Sequence, residues 1–562
     1  MDKKKNFVII GGGACGPKAA ARARRLDANA NITMVQDEVY TSYAACGLPY
    51  FISGLVKSGN ELMVRNAEAF KRISNVDVLI HTRADSIDRA AHQVHITNLL
   101  DGQTSALQYD KLVLATGANP IIPPIKGIDL QGVHVLKKIP DAEEIIALMT
   151  ASVTHKAVIV GAGLIGMEMT ESLVSKGFEV TIIEALDRLL AAVVDEEITD
   201  LIARHVKGKG VTLKLGQRIV GFEGEKGHVQ RAVTDKESIE ADVVIFAIGI
   251  RPNSKLAKEA GLEIGTFGDI VVDQHLRTND PDIYAGGDCV ANVNFITGQK
   301  VFVPLGSTAN KQGHVIAANM TGGDQIWPGI VSTACVKIFD FNVGRTGLGE
   351  KEAVSAGYDV VTGLIPGLDL PEYYPGSKEV IIKLIVDAGT HRILGGQGTG
   401  SGEVIKRIDV LATGITMGMT VETLANLDLA YAPPYNSSLD ILHHLANLVL
   451  NKMAGRIQGL KPKEVKEKLD KNGDFTLLDV RSRGEFKAAR IESPQTRLLP
   501  QSRLRQEMQD LPKDKEIVMM CHRGVRAYQA ACTLKGAGMK DVKFMEGSLA
   551  CWCDDVVGEP PL

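Results

Sequence analysis

A strand, a glycine loop and a helix follow one another twice in this chain, and that repetition narrows its folds more than any other feature. Phe7 to Ile10 is a continuous apolar run, as found in buried parallel strands. It leads into Gly11-Gly12-Gly13-Ala14-Cys15-Gly16, an Ala/Arg-rich helical pattern to Leu26, and a second apolar run, Ile32 to Val35. The pattern returns 150 positions later: Ala157 to Val160, then Gly161-Ala162-Gly163-Leu164-Ile165-Gly166, a helix from Met167 to Lys176, and Val180 to Ile183. A G-x-G-x-x-G loop in this setting lets backbone approach a pyrophosphate, whose charge meets the helix N-terminus. One such loop is a weak signal. Two in context predict an α/β chain with two Rossmann-like dinucleotide-binding domains.

The residue closing the second strand ordinarily accepts a hydrogen bond from a ribose hydroxyl. In the second unit it is Glu184, which would repel a 2′-phosphate. No arginine follows at once, so NADH is expected over NADPH. In the first unit the place is taken by Gln36, with Asp37 and Glu38 after it; the amide can still bond a hydroxyl but carries no charge.

Composition sets the outer limits. A chain of 562 residues exceeds one hydrophobic core and points to three or four domains. A net charge of −4 implies no nucleic-acid partner from bulk electrostatics. Eight irregularly spaced cysteines do not make a secreted disulfide framework. The basic start, Met1 to Asn6, runs into a strand and glycines rather than a signal peptide. No apolar run reaches the length of a membrane span, so the cytoplasm is the expected compartment.

The chemistry concentrates in Ser42-Tyr43-Ala44-Ala45-Cys46-Gly47-Leu48-Pro49-Tyr50, which holds one cysteine and no second nearby. A thiolate is both nucleophile and redox centre, and a helix N-terminus lowers its pKa. Ser42 is a candidate cap for such a helix, placing Cys46 in its first turns. The competing reading is a small buried apolar residue.

Three further segments belong with the two loops. Leu112-Val113-Leu114-Ala115-Thr116-Gly117 and Val244-Ile245-Phe246-Ala247-Ile248-Gly249 are apolar strands ending at small residues. Pro281 to Asp288 ends a strand at Gly286-Gly287 and an acid. Together with the loops these resemble the flavoprotein disulfide reductases, over roughly residues 6 to 450. The resemblance implies that the first domain holds FAD, through Gly11, Gly13, Gly16, Gln36, Asp37, Ser42, Ala115, Thr116, Gly117 and Asp288. The inserted second domain would hold NADH, through Gly161, Gly163, Leu164, Ile165, Gly166, Glu184 and Gly249. The implied division is 1–118 with 251–325 for FAD, 119–250 for NAD(P)H, an α+β dimerisation domain at 326–450, and a linker at 451–463.

Branches of that family differ around the cysteine. The two-cysteine branch would need a second cysteine where Phe51 stands, and the oxidase and peroxidase branch a histidine where Ala14 stands. The stretch around Cys46 is similar to the S-F-A-N-C-G-L-P-Y of the coenzyme A-disulfide and persulfide reductases, with Ala45 replacing the asparagine. In that branch tyrosines of the partner subunit reach the cysteine; by motif position they are Tyr373 and Tyr431. Coenzyme A needs cations for its phosphates, and Lys18, Arg22 and Arg25 on the first helix, with Lys71 and Arg72 further on, are candidates.

After Leu450 the pattern changes. Leu477 to Arg481 and Ile517 to Met520 read as strands, the second running into Cys521-His522-Arg523-Gly524-Val525-Arg526. A cysteine in such a loop faces converging N–H groups that stabilise a thiolate or persulfide, and Arg526 adds charge. The segment 464–562 resembles an α/β rhodanese domain, down to Glu546-Gly547-Ser548-Leu549-Ala550-Cys551-Trp552. Cys335 and Cys532 read as packed, and Cys551-x-Cys553 is too little for a metal site.

The expectation is therefore an NADH-dependent FAD homodimer. It reduces coenzyme A persulfide, polysulfide or coenzyme A disulfide at Cys46, and Cys521 accepts sulfane sulfur. An NADH oxidase or peroxidase with an appended rhodanese domain is the alternative enzyme. A coenzyme A-binding redox sensor signalling through Cys521 is the alternative outside catalysis.

Overall fold

The computed structural model describes residues 4–558; Met1 to Lys3 and the last four residues, parts of the terminal stretches read above, lie outside the described residues. The chain divides into two compact units. One takes in residues up to Asp187 together with Gly210–Ile330, and the other Arg188–Lys209 together with everything from Val331 onward.

The first unit holds two parallel five-stranded sheets. In one, the strands Ile283–Ala285, Lys111–Leu114, Asn6–Ile10, Asn31–Val35 and Asp77–Leu79 lie side by side. In the other the order is Thr212–Leu215, Glu179–Glu184, Lys156–Val160, Val243–Phe246 and Val133–Val135. The chain thus leaves the first sheet after Leu114, builds the second, and returns at Ile283 to complete the first. Parallel strands covered on both faces must be apolar throughout, which is why Phe7, Val8, Ile9 and Ile10 are all buried. Each such side chain contributes about 1.5–3 kcal/mol.

The second unit contains a five-stranded antiparallel sheet, ordered Ala334–Ile338, Phe341–Gly347, Ile393–Gly400, Glu379–Asp387 and Val360–Leu368. The helices Val404–Thr416 and Ile441–Met453 pack on it. A further parallel sheet follows, ordered Gln458–Leu460, Val542–Met545, Glu516–Met520, Phe475–Asp479 and Thr496–Leu498. Little of 451–463 is free of regular structure. Its start closes a helix at Met453, Gln458–Leu460 is an edge strand, and Pro462–Asp470 opens the next helix. Cys335, read as packed, is exposed on the edge strand Ala334–Ile338, where alternate side chains face outward. Among the described residues no helix is long and apolar enough to cross a membrane.

Three carboxylates in this unit, from Asp195, Glu197 and Glu350, converge within 4.8 Å. The ammonium of Lys383, 2% exposed, sits among them at 2.9, 2.8 and 2.6 Å. Lys461 adds contacts of 2.9 Å to Glu197 and 2.7 Å to Glu350. Burial works to raise the Glu197 pKa, but Lys383 and Lys461 outweigh it and hold the carboxyl down at about 2. Its contribution to stability is therefore complete above the ordinary carboxylate pKa of 4.5 and lost as pH falls toward 2. Lys383→Met leaves Asp195 without a lysine and Glu197 and Glu350 with Lys461 alone, and should cost about 3–5 kcal/mol at neutral pH. The deficit should shrink below pH about 4, as the acids protonate. Equal denaturant midpoints for variant and wild type at pH 7 would contradict this.

Candidate active site

The two glycine loops are built alike. Gly11 N–H donates to Val35 O at 2.9 Å and Gly161 N–H to Ile183 O at 2.8 Å, which turns each chain sharply off its strand. Gly11 has φ +109°, and a Cβ there would stand 2.1 Å from Ala115 O, so no other residue fits. Around Gly13 and Gly163 nothing lies within 4 Å of a Cβ position, so bare backbone faces open space where a pyrophosphate would be cradled. Thr116 and Gly117 follow Ala115 at the same strand end, and Gly249, with φ +123°, ends the equivalent strand of the second domain. These features fit FAD in the first loop and a nicotinamide dinucleotide in the second.

The strand-end residues serve the loops as well. Gln36 Oε1 accepts from Gly12 N–H at 2.7 Å. Glu184 accepts from Ala162 N–H through Oε2 at 2.8 Å and from Leu186 N–H through Oε1 at 2.9 Å. The carbonyl of Gln36 is thus spent on its own loop, and the amide N–H group remains for a ribose. Asp37 is half exposed near Lys138, which pairs with Glu38. Asp288 is largely buried and accepts no hydrogen bond among the described residues; burial pushes its pKa up, with Lys137 opposing.

Cys46 lies in a single 3-10 turn, Ala45–Gly47, ahead of the short helix Leu48–Ile52. Ser42 does not cap this helix. It adopts φ +49°, and its backbone is used instead: its N–H donates to Gly12 O at 2.7 Å and its carbonyl accepts from Val64 N–H at 2.8 Å. At the other end Ser172 Oγ, on the helix Leu164–Ser175, donates to Pro49 O at 2.9 Å. The turn is therefore pinned to the first loop on one side and to the helix of the second loop on the other.

The thiol is exposed on its turn but crowded by acids. Burial on its inner side, then Glu168 and Asp288, push its pKa up, against its own backbone N–H and Lys137. This corrects the expected lowering at a helix N-terminus: a five-residue helix supplies little dipole, and burial together with the nearby carboxylates outweighs it. Glu168 was not singled out from the sequence. It stands one turn before Ser172 and faces the same segment, and burial followed by Glu171 pushes it up to about 7. An acid two residues past Gly166, followed by a second at Glu171, is the available signal.

The expected cations separate into two groups. Lys18, Arg22 and Arg25 gather on the helix Cys15–Leu26 around His314, on the packed helix Gly306–Met320; burial and these three charges push the His314 pKa down. Arg22 Nε is buried without a partner among the described residues. Lys71 is instead engaged by Asp77 at 2.7 Å. In the second unit, Tyr373 and Tyr431 stay exposed and close enough that Tyr431, after desolvation, adds to the raising of the Tyr373 pKa. Arg407, 1% exposed, ties their loops together: it reaches Asp440 at 2.9 Å, and Asp369 O and Asn436 Oδ1 at 3.1 Å each.

Cys521 ends the strand Glu516–Met520 and is buried. Its Sγ accepts from Gly524 N–H at 3.0 Å, and its own N–H donates to Ser548 Oγ at 3.2 Å. Arg526 is not a free cation: Glu485 takes both its terminal nitrogens, at 2.5 and 3.0 Å. That pair, against burial, holds Glu485 down at about 2. A cavity of about 550 Å³ beside it is lined by Ser482, Arg483, Gln501, Arg503 and Arg526.

Two Rossmann-like sheets, with a single thiol fixed to the glycine loop of one and to the helix after the loop of the other, define a dithiol-independent, pyridine nucleotide-linked oxidoreductase. The comparisons agree: residues 5–318 match the model of the pyridine nucleotide-disulphide oxidoreductases, 333–442 that family's dimerisation domain, and 461–555 the rhodanese-like domain. The chain belongs to the pyridine nucleotide-disulphide oxidoreductase family. It is 37% identical to an NAD(P)H sulfur oxidoreductase (CoA-dependent) of Pyrococcus furiosus, over 80% of this chain and all of the relative. Among solved structures, an NAD-dependent persulfide reductase from A. fulgidus superposes with TM-score 0.93 at 44% identity, covering 97% of this chain and 100% of that one. A Bacillus anthracis protein described as CoADR-RHD gives 0.92 at 33%, covering 98% of each.

In Glu168→Gln the thiol loses the largest of its repelling charges. Above neutral pH Glu168 is ionised, so the midpoint for Cys46 alkylation in the holoenzyme should fall, by about one pH unit or less. An unchanged or higher midpoint, read by peptide-resolved mass spectrometry, would contradict the assigned cause.

Proposed function

We propose that the protein is an NADH-dependent flavoprotein that reduces coenzyme A persulfide, polysulfide or coenzyme A disulfide at Cys46. The observation that carries this reading is the double anchoring of the Cys46 turn, to Gly12 of the first loop and to the helix of the second. The cluster of Lys18, Arg22, Arg25 and His314 suits the phosphates of coenzyme A. Glu184 favours NADH. The site residues and domain limits expected from the sequence are part of this proposal, as are a homodimer in which Tyr373 and Tyr431 serve the partner's cysteine, and a cytoplasmic setting. The match of 333–442 to a dimerisation domain supports the homodimer.

The Cys46 thiolate attacks the S–S bond of the persulfide, forms a mixed disulfide with coenzyme A and expels hydrosulfide. Two electrons from NADH then return Cys46 and coenzyme A to thiolates, a transfer that FAD mediates when bound. Glu168, with a pKa near neutrality and its charge felt at Cys46, is the group assigned to hold the proton that the departing sulfur takes. Burial, then the acids Glu168 and Asp288, disfavour the Cys46 thiolate, and a cationic or hydrogen-bonding partner would favour it. At the other end of the chain, Cys521 accepts sulfane sulfur as a persulfide, and Arg526 of its loop lines the cavity that would take the donor.

Cys46→Ser should reduce NADH-dependent persulfide and coenzyme A disulfide reduction to background while sparing sulfur transfer at Cys521. Steady-state NADH oxidation with the two substrates, polysulfide and oxygen side by side decides it. Reductase turnover retained in the variant, or oxygen as the preferred acceptor, would defeat the reading.

A further inference from the structure

The loop around Cys521 is held by a neighbouring segment, and that segment is held from outside its own domain. Leu549 N–H donates to Cys521 O at 3.3 Å and Ala550 N–H to His522 O at 2.9 Å, while Ser548 Oγ receives the Cys521 N–H at 3.2 Å. Residues 548–550 are therefore the wall against which the sulfur loop is set.

Two charged groups from elsewhere in the unit fix that wall. Glu546, 3% exposed, turns its carboxylate away from its own domain: Oε2 accepts from Leu364 N–H at 2.9 Å, and Oε1 pairs with Lys452. Lys452 also donates to Thr362 O at 2.6 Å. The carboxylate fills the notch at Gly459, where a Cβ would stand 2.0 Å from Oε1. Leu364 lies on the strand Val360–Leu368 and Lys452 on the helix Ile441–Met453, both outside the rhodanese match at 461–555. Arg204, on the helix Glu196–Gly208, grips the other end of the wall, donating to Ala550 O at 3.0 Å and Trp552 O at 2.6 Å. Arg523, within the loop, reaches Glu379 Oε1 at 3.4 Å.

We propose that Lys452, Glu546 and Arg204 are positioning residues for sulfur transfer at Cys521, so that this centre is completed by the dimerisation region and by the helix Glu196–Gly208. The inference rests on the reading of Cys521 as a sulfane-sulfur acceptor. Backbone N–H groups stabilise a thiolate or persulfide only while they are held in place before the charge develops. Without Lys452 the Glu546 carboxylate is a buried charge with no counter-ion, which is relieved by moving toward water, and residues 547–550 move with it.

The test uses the full-length holoenzyme. Lys452→Met, Glu546→Gln and Arg204→Met should each lower kcat for sulfur transfer from thiosulfate or polysulfide by about tenfold or more. KM for the donor should stay near wild type, and Lys452→Arg should restore kcat. NADH-dependent reduction of coenzyme A disulfide at Cys46 should stay within about twofold. Amide hydrogen exchange at 521–524 and 548–550 should accelerate in the three variants. Glu546→Gln is isosteric and Arg204→Met lies at the far end of the wall, so either carries the prediction if Lys452→Met fails to fold. Wild-type kcat together with wild-type exchange in these variants would overturn the proposal. A wild-type enzyme without sulfur transfer would defeat the acceptor reading of Cys521, while the exchange rates would still decide whether the three residues position the loop.

Discussion

The reductase half of this protein depends on two hydrogen bonds to main-chain carbonyls. Ser42 N–H reaches Gly12 O, and Ser172 Oγ reaches Pro49 O. Between these anchors lies a turn of three residues with one sulfur in it. Each bond is worth only about 1 kcal/mol in stability. Their value is geometric, because the turn cannot shift without disturbing a phosphate loop or the helix that follows one. Electron transfer to sulfur needs that fixity, since the donor and the thiol have to meet in one arrangement.

In the second unit the fixed points are buried charges. Lys383 gathers three acids, Arg407 gathers the loops of Tyr373 and Tyr431, and Glu546 gathers a strand and a helix. Buried ion pairs are weak sources of stability, because the desolvation of each charge nearly cancels the attraction. They are strong sources of register, because a misplaced partner leaves a bare charge in an apolar setting. All three join segments far apart in sequence, and all three sit next to residues with a chemical part in the proposed reaction or in domain assembly.

How much of this the sequence discloses depends on the range of the interaction. The glycine loops, their strands and the loop at Cys521 were legible, because each is a local pattern with a local cause. The order of the two dinucleotide domains was legible from the spacing of the repeat and the return at Pro281 to Asp288. The anchors of Cys46 were not. A serine that reads as a helix cap turned out to work through its main chain, and Ser172 lies on the other domain. The shift of the thiol was misjudged for the same reason: a dipole can be read from neighbours in sequence, whereas Glu168 and Asp288 act through space. His314 escaped because its surroundings come from a different helix. The arginine of the C-terminal loop was read as free charge, and Glu485 had already taken it.

The outward-facing carboxylate of Glu546 has a consequence for how this gene can be rearranged. Fused domains are usually treated as interchangeable parts joined at a seam. Here the seam runs through hydrogen bonds to Leu364, Lys452 and Arg204 rather than through a stretch of linker. A chimera that exchanged only the last hundred or so residues for those of a relative would bring in a foreign surface and leave three tailored sockets empty. Grafting would succeed when donor and recipient match at those sockets, so recombination between such genes is channelled toward exchanging the tail together with both the dimerisation region and the helix Glu196–Gly208.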